Sequence, residues 1–211
     1  MSARPTVAID FFADVSCPWC YVGWEAMKRA ASVQRETFSV SVAWRTFLLS
    51  PDLPLEGVDR AQYLSHYSPE QLKASEAALR AAAAAAGAPF AIEKATRIPN
   101  TIDAHRVVHW AAEYGQAEGV IDTLFRAHFA EGQDISARDT LVQAAEANGL
   151  DPHEVAERLA SKRDRDLILQ FHAAAVRIGI QGVPLAVFNR RVPVMGAQSE
   201  AVYAEALAKA A

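Results

Sequence analysis

The sequence predicts an α/β fold in two separated pieces, β-α-β at the start and β-β-α at the end, with a large all-helical insertion between them. Three observations predict it. Near the N terminus, a run of β-branched and aromatic residues precedes a helix signal and then an alternating strand signal. From about Asp59 to Gly179, helix signals follow one another with almost no strand signal. Near the C terminus, two short apolar runs stand close together ahead of a final helix.

The elements follow in order. "TVAIDFF" (Thr6 to Phe12) reads as a buried strand. From Pro18 to about Glu36 the only glycine is Gly23, and Pro18 suits a first helical turn because its missing N–H has no partner there anyway. "FSVSVAWRTF" alternates Phe38, Val40, Val42 and Trp44 with Ser39, Ser41 and Arg45, the period of a half-buried strand. The proline-rich linker "LLSPDLPLEGVD" then leads to the helical block.

Within the block, Ser68-Pro69-Glu70-Gln71 is a capping box opening an alanine-rich helix that stops near Gly87. Further helices run from about Thr101 to Gly115, Ala117 to Gly132 and Ser136 to Gly149. Asp151-Pro152-His153-Glu154 is another cap, and the last long helix of the block ends near Gly179. "VPLAVF" and "RVPVMG", joined at Asn189-Arg190, suit an antiparallel hairpin, and a helix from Ser199 to Lys209 closes the chain.

Composition narrows the function. With 211 residues, 51% apolar, 22% charged and a net charge of −4, the chain has the composition of an ordinary soluble domain without a nucleic-acid footprint. No signal-type stretch opens it and no segment approaches a membrane span, so a cytoplasmic location is expected, with no membrane partner. Two cysteines are too few for a disulfide scaffold and are better read as reactive or ligating groups.

Those two are Cys17 and Cys20, spaced C-x-x-C around Pro18 and Trp19 at the first strand-to-helix turn. A helix N terminus offers free N–H groups and a positive dipole end, so Cys17 is expected to be the more acidic thiol, while Asp14, if close, opposes that effect. Cys20 lies one turn on, within disulfide reach. A C-x-x-C with internal proline beside a β-α-β pattern is a thioredoxin-type redox signature. A zinc reading needs two more ligands. His105 and His109, at i and i+4, supply them on paper, although one partly buried and one solvated histidine on an amphipathic helix is the plainer reading. His66, His128, His153 and His172 have no partner nameable from sequence.

"GIQGVPLAVF" supports the redox reading independently. If the strand that Pro184 opens runs antiparallel to the first, its beginning lies beside Cys17. A cis Val183-Pro184 bond would turn the Val183 backbone toward the thiols, where an extended peptide or thiol substrate pairs with it.

"SCPWC" followed by "GVP" before a strand, with helices between, resembles the DsbA-like branch of the thioredoxin superfamily. "PNTIDAHR" (Pro99 to Arg106), "LFRAHFAEGQDIS" (Leu124 to Ser136) and "GVPLAVFNRRVPVMGAQ" (Gly182 to Gln198) resemble FrnE-type proteins, related to 2-hydroxychromene-2-carboxylate isomerase and kappa-class glutathione transferase. The resemblance implies a thioredoxin fold with residues 1–55 and 180–211 as one discontinuous domain and 56–179 as an inserted helical domain. It also implies Cys17 as attacking thiol, Cys20 as resolving thiol and a cis Pro184.

The expected function is thiol-disulfide exchange on protein or small-molecule thiols and disulfides, with Pro18, Trp19, Val183 and Pro184 in support. No dissociable cofactor or metal is required, and the oligomeric state is left open. The isomerase and kappa-type relatives carry a serine where Cys17 stands, and glutathione-dependent isomerase or transferase activity is the alternative. Kappa-type relatives use a Ser-Asp-Arg segment for glutathione where this chain has Ala197-Gln198-Ser199. Gln198 and Ser199, at a helix N terminus, remain candidate contacts for glutathione or substrate. A non-catalytic chaperone or zinc-binding module is the third reading. Trp24 is read as structural, and Arg190 and Arg191 as surface charge at the end away from the thiols.

Overall fold

A computed structural model describes residues 4–211. In strand β1 (Thr6–Ala13) every second residue turns inward, so Val7, Ile9, Phe11 and Ala13 are buried. Helix α1 (Pro18–Val33) ends before the expected Glu36, because the N–H of Gln34 returns to Ala30 O and the chain turns at once into the next strand. That strand, β2 (Ser39–Thr46), lies parallel to β1 with Thr6 opposite Ser39 and Ala13 opposite Thr46.

The region between β2 and the final hairpin is mainly helical but opens with a short β3 (Val58–Asp59) and α2 (Arg60–Leu64). α3 (Pro69–Ala86) has the predicted ends: Ser68 accepts from Gln71 N–H, and Gly87 stops the helix in the left-handed conformation at φ 72°. β4 (Arg97–Ile98) pairs antiparallel with β3, a two-residue ladder too short to show a period in sequence.

α4 (Ile102–Glu113), α5 (Ala117–Phe129), α6 (Arg138–Glu146), α7 (Pro152–Ala160) and α8 (Arg165–Arg177) follow. The stretch from Asp151 to Gly179 is therefore two helices. Arg106, fully buried on α4, donates to the carbonyls of Arg158 (2.6 Å) and Ser161 (3.1 Å), which satisfies the end of α7. Asp164 takes a left-handed φ of 63° with its carboxylate on Trp110 Nε1 at 2.9 Å. Contacts with α4 impose the break.

β5 (Leu185–Phe188) and β6 (Val192–Met195) form the expected hairpin, and α9 (Glu200–Ala210) ends the chain. Asn189 and Arg190 both have positive φ, a geometry asparagine tolerates. The Asn189 side chain also accepts from Ala8 N–H and donates to Ala210 O, both at 2.8 Å, tying the turn to β1 and α9. The sheet order is β2-β1-β5-β6, with β5 antiparallel to β1 and Phe12 opposite Leu185.

One hydrophobic cluster runs from sheet to helices. Phe11 of β1 meets Trp24 of α1 edge-on at 5.2 Å, and Trp24 meets Trp44 of β2 at 5.7 Å. Trp44 reaches Phe125 of α5, which stacks on Tyr21 of α1 at 5.0 Å. Trp24 Nε1 and Lys28 both donate to Asp122 of α5 at 2.6 Å. α1 is thereby clamped between the sheet and the helical block.

Candidate active site

The last residue of β1, Ala13, accepts a hydrogen bond from Phe47 N–H, and the chain then turns through Asp14, Val15 and Ser16. Asp14 shapes this turn: its Oδ1 accepts from the N–H and hydroxyl of Ser16, and its carbonyl accepts from Cys17 N–H at 3.0 Å. Cys17 becomes the N-cap of α1, with extended backbone, and its Sγ accepts from Cys20 N–H at 3.3 Å. The sulfur occupies the position a serine or threonine oxygen commonly takes at a helix start.

Both cysteines are free thiols and both are buried, Cys17 at 4% exposure and Cys20 at 0%. Burial pushes the Cys20 thiol well above its ordinary range. The Cys17 sulfur and the Asp14 charge add to the rise, against a backbone hydrogen bond from Asp14. Trp19, on the first turn between them, is 37% exposed.

The Val183-Pro184 peptide is cis. Pro184 is buried, Val183 half-buried, and the β1–β5 register carries the start of β5 to the thiol end of the sheet. Direct contact completes the arrangement: a methyl group placed on Gly23, one turn after Cys20, would stand 3.1 Å from Pro184 Cγ. The Pro184 segment therefore lies against α1 one turn beyond Cys20, at the end of the sheet where Cys17, Pro18, Trp19 and Cys20 open the helix.

The other candidates lie elsewhere. Gln198 and Ser199 line a separate cavity of about 390 Å³ between α1, α3 and the start of α9, whose walls include Arg29 and Ala86 but neither cysteine. Gln198 Nε2 donates to Met195 O, and the Ser199 hydroxyl makes no capping bond. Another cavity, about 630 Å³, runs along β2 beside α4 and α8 and likewise omits the thiols. Arg191 is exposed and donates to Ala210 O at the far end of the sheet.

Several of the histidines have specific partners. His105 is fully buried: its Nδ1 accepts from Trp44 Nε1 at 3.2 Å, and its Nε2, 3.7 Å from Asp14 Oδ1, has no hydrogen-bond partner among the described residues. His109 packs edge-on against Phe171 at 5.7 Å. His172 accepts from Leu48 N–H at 3.1 Å. Among the described residues no three His, Cys, Asp or Glu side chains converge as metal ligands.

Sequence reasoning missed the extent of the Asp14 cluster. Besides Ser16, the fully buried carboxylate accepts from Leu49 N–H at 2.7 Å and from Thr101 Oγ1 at 3.1 Å. Burial alone would raise the Asp14 pKa. His105 and the N–H groups of Ser16 and Leu49 outweigh it and hold the carboxyl below its ordinary value. Thr101 and His105 sit four residues apart, on one face of the α4 start, so "PNTIDAHR" supplies the thiol turn with polar partners from the helical block. The signal was present as two polar residues at helical spacing at the start of an otherwise apolar face.

With this geometry established, comparison with known proteins is decisive for family. The model of the DSBA-like thioredoxin domain matches residues 8–208. This chain belongs to that family. Among solved structures, a probable DsbA oxidoreductase from Streptomyces coelicolor is 32% identical, with a TM-score of 0.85 over 97% of this chain and 89% of that one. A 2-hydroxychromene-2-carboxylate isomerase, 17% identical, superposes with a TM-score of 0.72 over 96% of this chain and 95% of the other. The cytosolic disulfide reductase DsbM from Pseudomonas aeruginosa, solved with GSH and 19% identical, gives 0.65 over 94% and 93%. The last two show the shared fold. The DSBA-like assignment accounts for the sheet order and for the helices placed between β2 and β5.

Proposed function

We propose that this DSBA-like protein is a cytoplasmic thiol-disulfide oxidoreductase in which Cys17 attacks and Cys20 resolves. The observation that carries the reading is the unequal setting of the two sulfurs. Cys17 Sγ caps the first turn of α1 and accepts a hydrogen bond from Cys20 N–H, whereas complete burial holds Cys20 as a thiol.

In the reductive direction, the Cys17 thiolate attacks one sulfur of a substrate disulfide. A Cys17–substrate disulfide forms, and the other substrate sulfur leaves as a thiolate that takes up a proton. Cys20 then loses its proton and attacks Cys17 Sγ. The second substrate thiol is released and the Cys17–Cys20 disulfide forms, so the two electrons gained by the substrate come from the cysteine pair. The oxidative direction is the reverse. A second thiol or disulfide partner resets the pair, and no dissociable cofactor enters either step. Pro18 and Trp19 fix and flank the thiols, and the Val183 backbone beside Pro184 offers an extended substrate a pairing edge.

The relative from S. coelicolor, described as a probable DsbA oxidoreductase, supports this reading. Glutathione is a fitting thiol partner. The DsbM relative was solved with GSH, and Gln198 and Ser199 border a cavity at a helix N terminus suited to a carboxylate. A glutathione-dependent isomerase is the second reading, favoured by the shared fold with 2-hydroxychromene-2-carboxylate isomerase.

Insulin reduction with a thiol donor tests the proposal. Cys17→Ser is expected to abolish turnover, and Cys20→Ser to accumulate mixed disulfides on Cys17 visible by mass spectrometry. Wild-type turnover in both variants would refute it, while saturable glutathione binding with isomerase activity that survives Cys20→Ser would establish the second reading.

A further inference from the structure

Gly23 is the sole glycine of α1 and stands in its interior, where glycine costs roughly 0.5–1 kcal/mol relative to alanine. Its φ is not positive, so the helix makes no use of its backbone freedom. What the position uses is the missing side chain. A Cβ there would lie 3.0 Å from Tyr203 Oη, 3.1 Å from Pro184 Cγ and 3.5 Å from Ala197 Cα, three neighbours from three segments.

Those segments brace one another. Gly196 N–H donates to Pro184 O at 2.8 Å, and the Tyr203 hydroxyl donates to Gly196 O at 3.4 Å. Tyr203 is fully buried on α9, and burial, with the nearby Cys20 adding, pushes its hydroxyl up to about 12, so it stays a neutral donor. The brace and the glycine together fix how closely the thiol helix approaches the Pro184 segment.

We propose that Gly23 and Tyr203 are positioning residues that set the gap between the Cys17 helix and the Val183-Pro184 edge. In doing so they suit the site to extended peptide disulfides, which need both walls, over small disulfides, which need only the sulfur. The proposal rests on the thiol-disulfide reading and deepens it. The exchange step is unchanged; only the holding of the peptide during it is at issue.

The test compares exchange with a disulfide-bonded peptide against exchange with 5,5′-dithiobis(2-nitrobenzoate) in Gly23→Ala, Tyr203→Phe and the double variant. A shift of a few tenths of an ångström between the two walls leaves the sulfurs in place but weakens the holding of the peptide, and is expected to lower peptide kcat/KM by about fivefold in Gly23→Ala, mainly through KM. The small disulfide should react within about twofold of wild type. Tyr203→Phe, which adds no atoms and removes the bond to Gly196, should raise the peptide KM at least about twofold with no effect on the small disulfide. In the double variant the atom that the new methyl meets at 3.0 Å is gone while Pro184 Cγ at 3.1 Å remains, so the combined peptide loss should be smaller than the product of the two single losses.

Equal losses on both substrates in Gly23→Ala, no loss on either, or losses that simply multiply in the double variant would overturn the positioning role. Should Gly23→Ala not fold, an unchanged peptide KM in Tyr203→Phe overturns it alone. Loss of the parent reading is seen separately, as wild-type protein without exchange or Cys17→Ser with it.

Discussion

The thiol turn has two kinds of neighbour, and they are built from opposite materials. On the Pro184 side the contacts are of shape: a glycine, a proline ring, a buried tyrosine and backbone hydrogen bonds, with no charge. On the Asp14 side they are electrostatic: a fully buried carboxylate gathers donors from Ser16, from Leu49 after β2 and from Thr101 at the head of α4, with His105 beside it. Removing one partner of a buried polar cluster leaves the others unsatisfied, whereas a loosened shape contact can relax. The Asp14 side should therefore govern stability and the Pro184 side substrate handling.

The sharpest way to break that contrast is Asp14→Asn. Asparagine replaces one carboxylate oxygen with an NH2, which sets donor against donor at the N–H of Ser16 or of Leu49, and about 3 kcal/mol of stability should be lost, read as a lowered urea midpoint with unchanged m-value. A loss below about 1 kcal/mol would mean that Asp14 is not the anchor. The same variant removes a charge that pushes the Cys20 thiol up, so Cys20 should titrate lower, measurable by alkylation against pH.

Next in size is Gly196→Ala. Gly196 has φ +71°, so alanine there costs about 1–2 kcal/mol through backbone strain, while the methyl itself would make only ordinary contact with Gln198 Nε2 at 3.9 Å. The contrast predicts that this smaller stability loss accompanies a larger rise in peptide KM than Asp14→Asn produces. Thr101→Val should cost roughly 1 kcal/mol, since Leu49 N–H still holds the same oxygen.

Acid titration separates the groups by window. His128 is held below its ordinary pKa by burial, against the Gln133 carbonyl and nearby carboxylates. The unfolded chain therefore takes up that proton first, and stability falls as pH drops below about 6.5. Asp14 is held low instead. Its contribution is complete above its unfolded value near 3.8 and is lost as pH falls through the lower folded one. Denaturant midpoints against pH should show both steps, and Asp14→Asn should remove only the lower. The smallest effect expected is Ser68→Ala, about 1 kcal/mol from the lost cap of α3, without change at the thiols.

Much of the architecture was readable because it is encoded locally. Strand and helix periods, the caps at Ser68 and Asp151, the stop at Gly87 and the turn at Asn189 each depend on a few adjacent residues, and all appear in the structure. The two-residue β3–β4 ladder and the break between α7 and α8 were not readable. Their causes are distant: a partner strand about forty residues away, and Arg106 collecting carbonyls across the fold.

For the site, the sequence alone determined the chemistry on offer: two thiols at a helix start, a proline opening a strand, and few other reactive groups. Those are properties of residue type and spacing. Only the tertiary structure decided what surrounds them. Asp14 was visible as a nearby charge, but its burial and its partners on α4 depend on residues 87 and 91 positions away. Gly23 read as a mere interruption in a helix until Pro184 and Tyr203 were found against it. Burial and contact arise when distant segments share one space, and no local pattern carries that information.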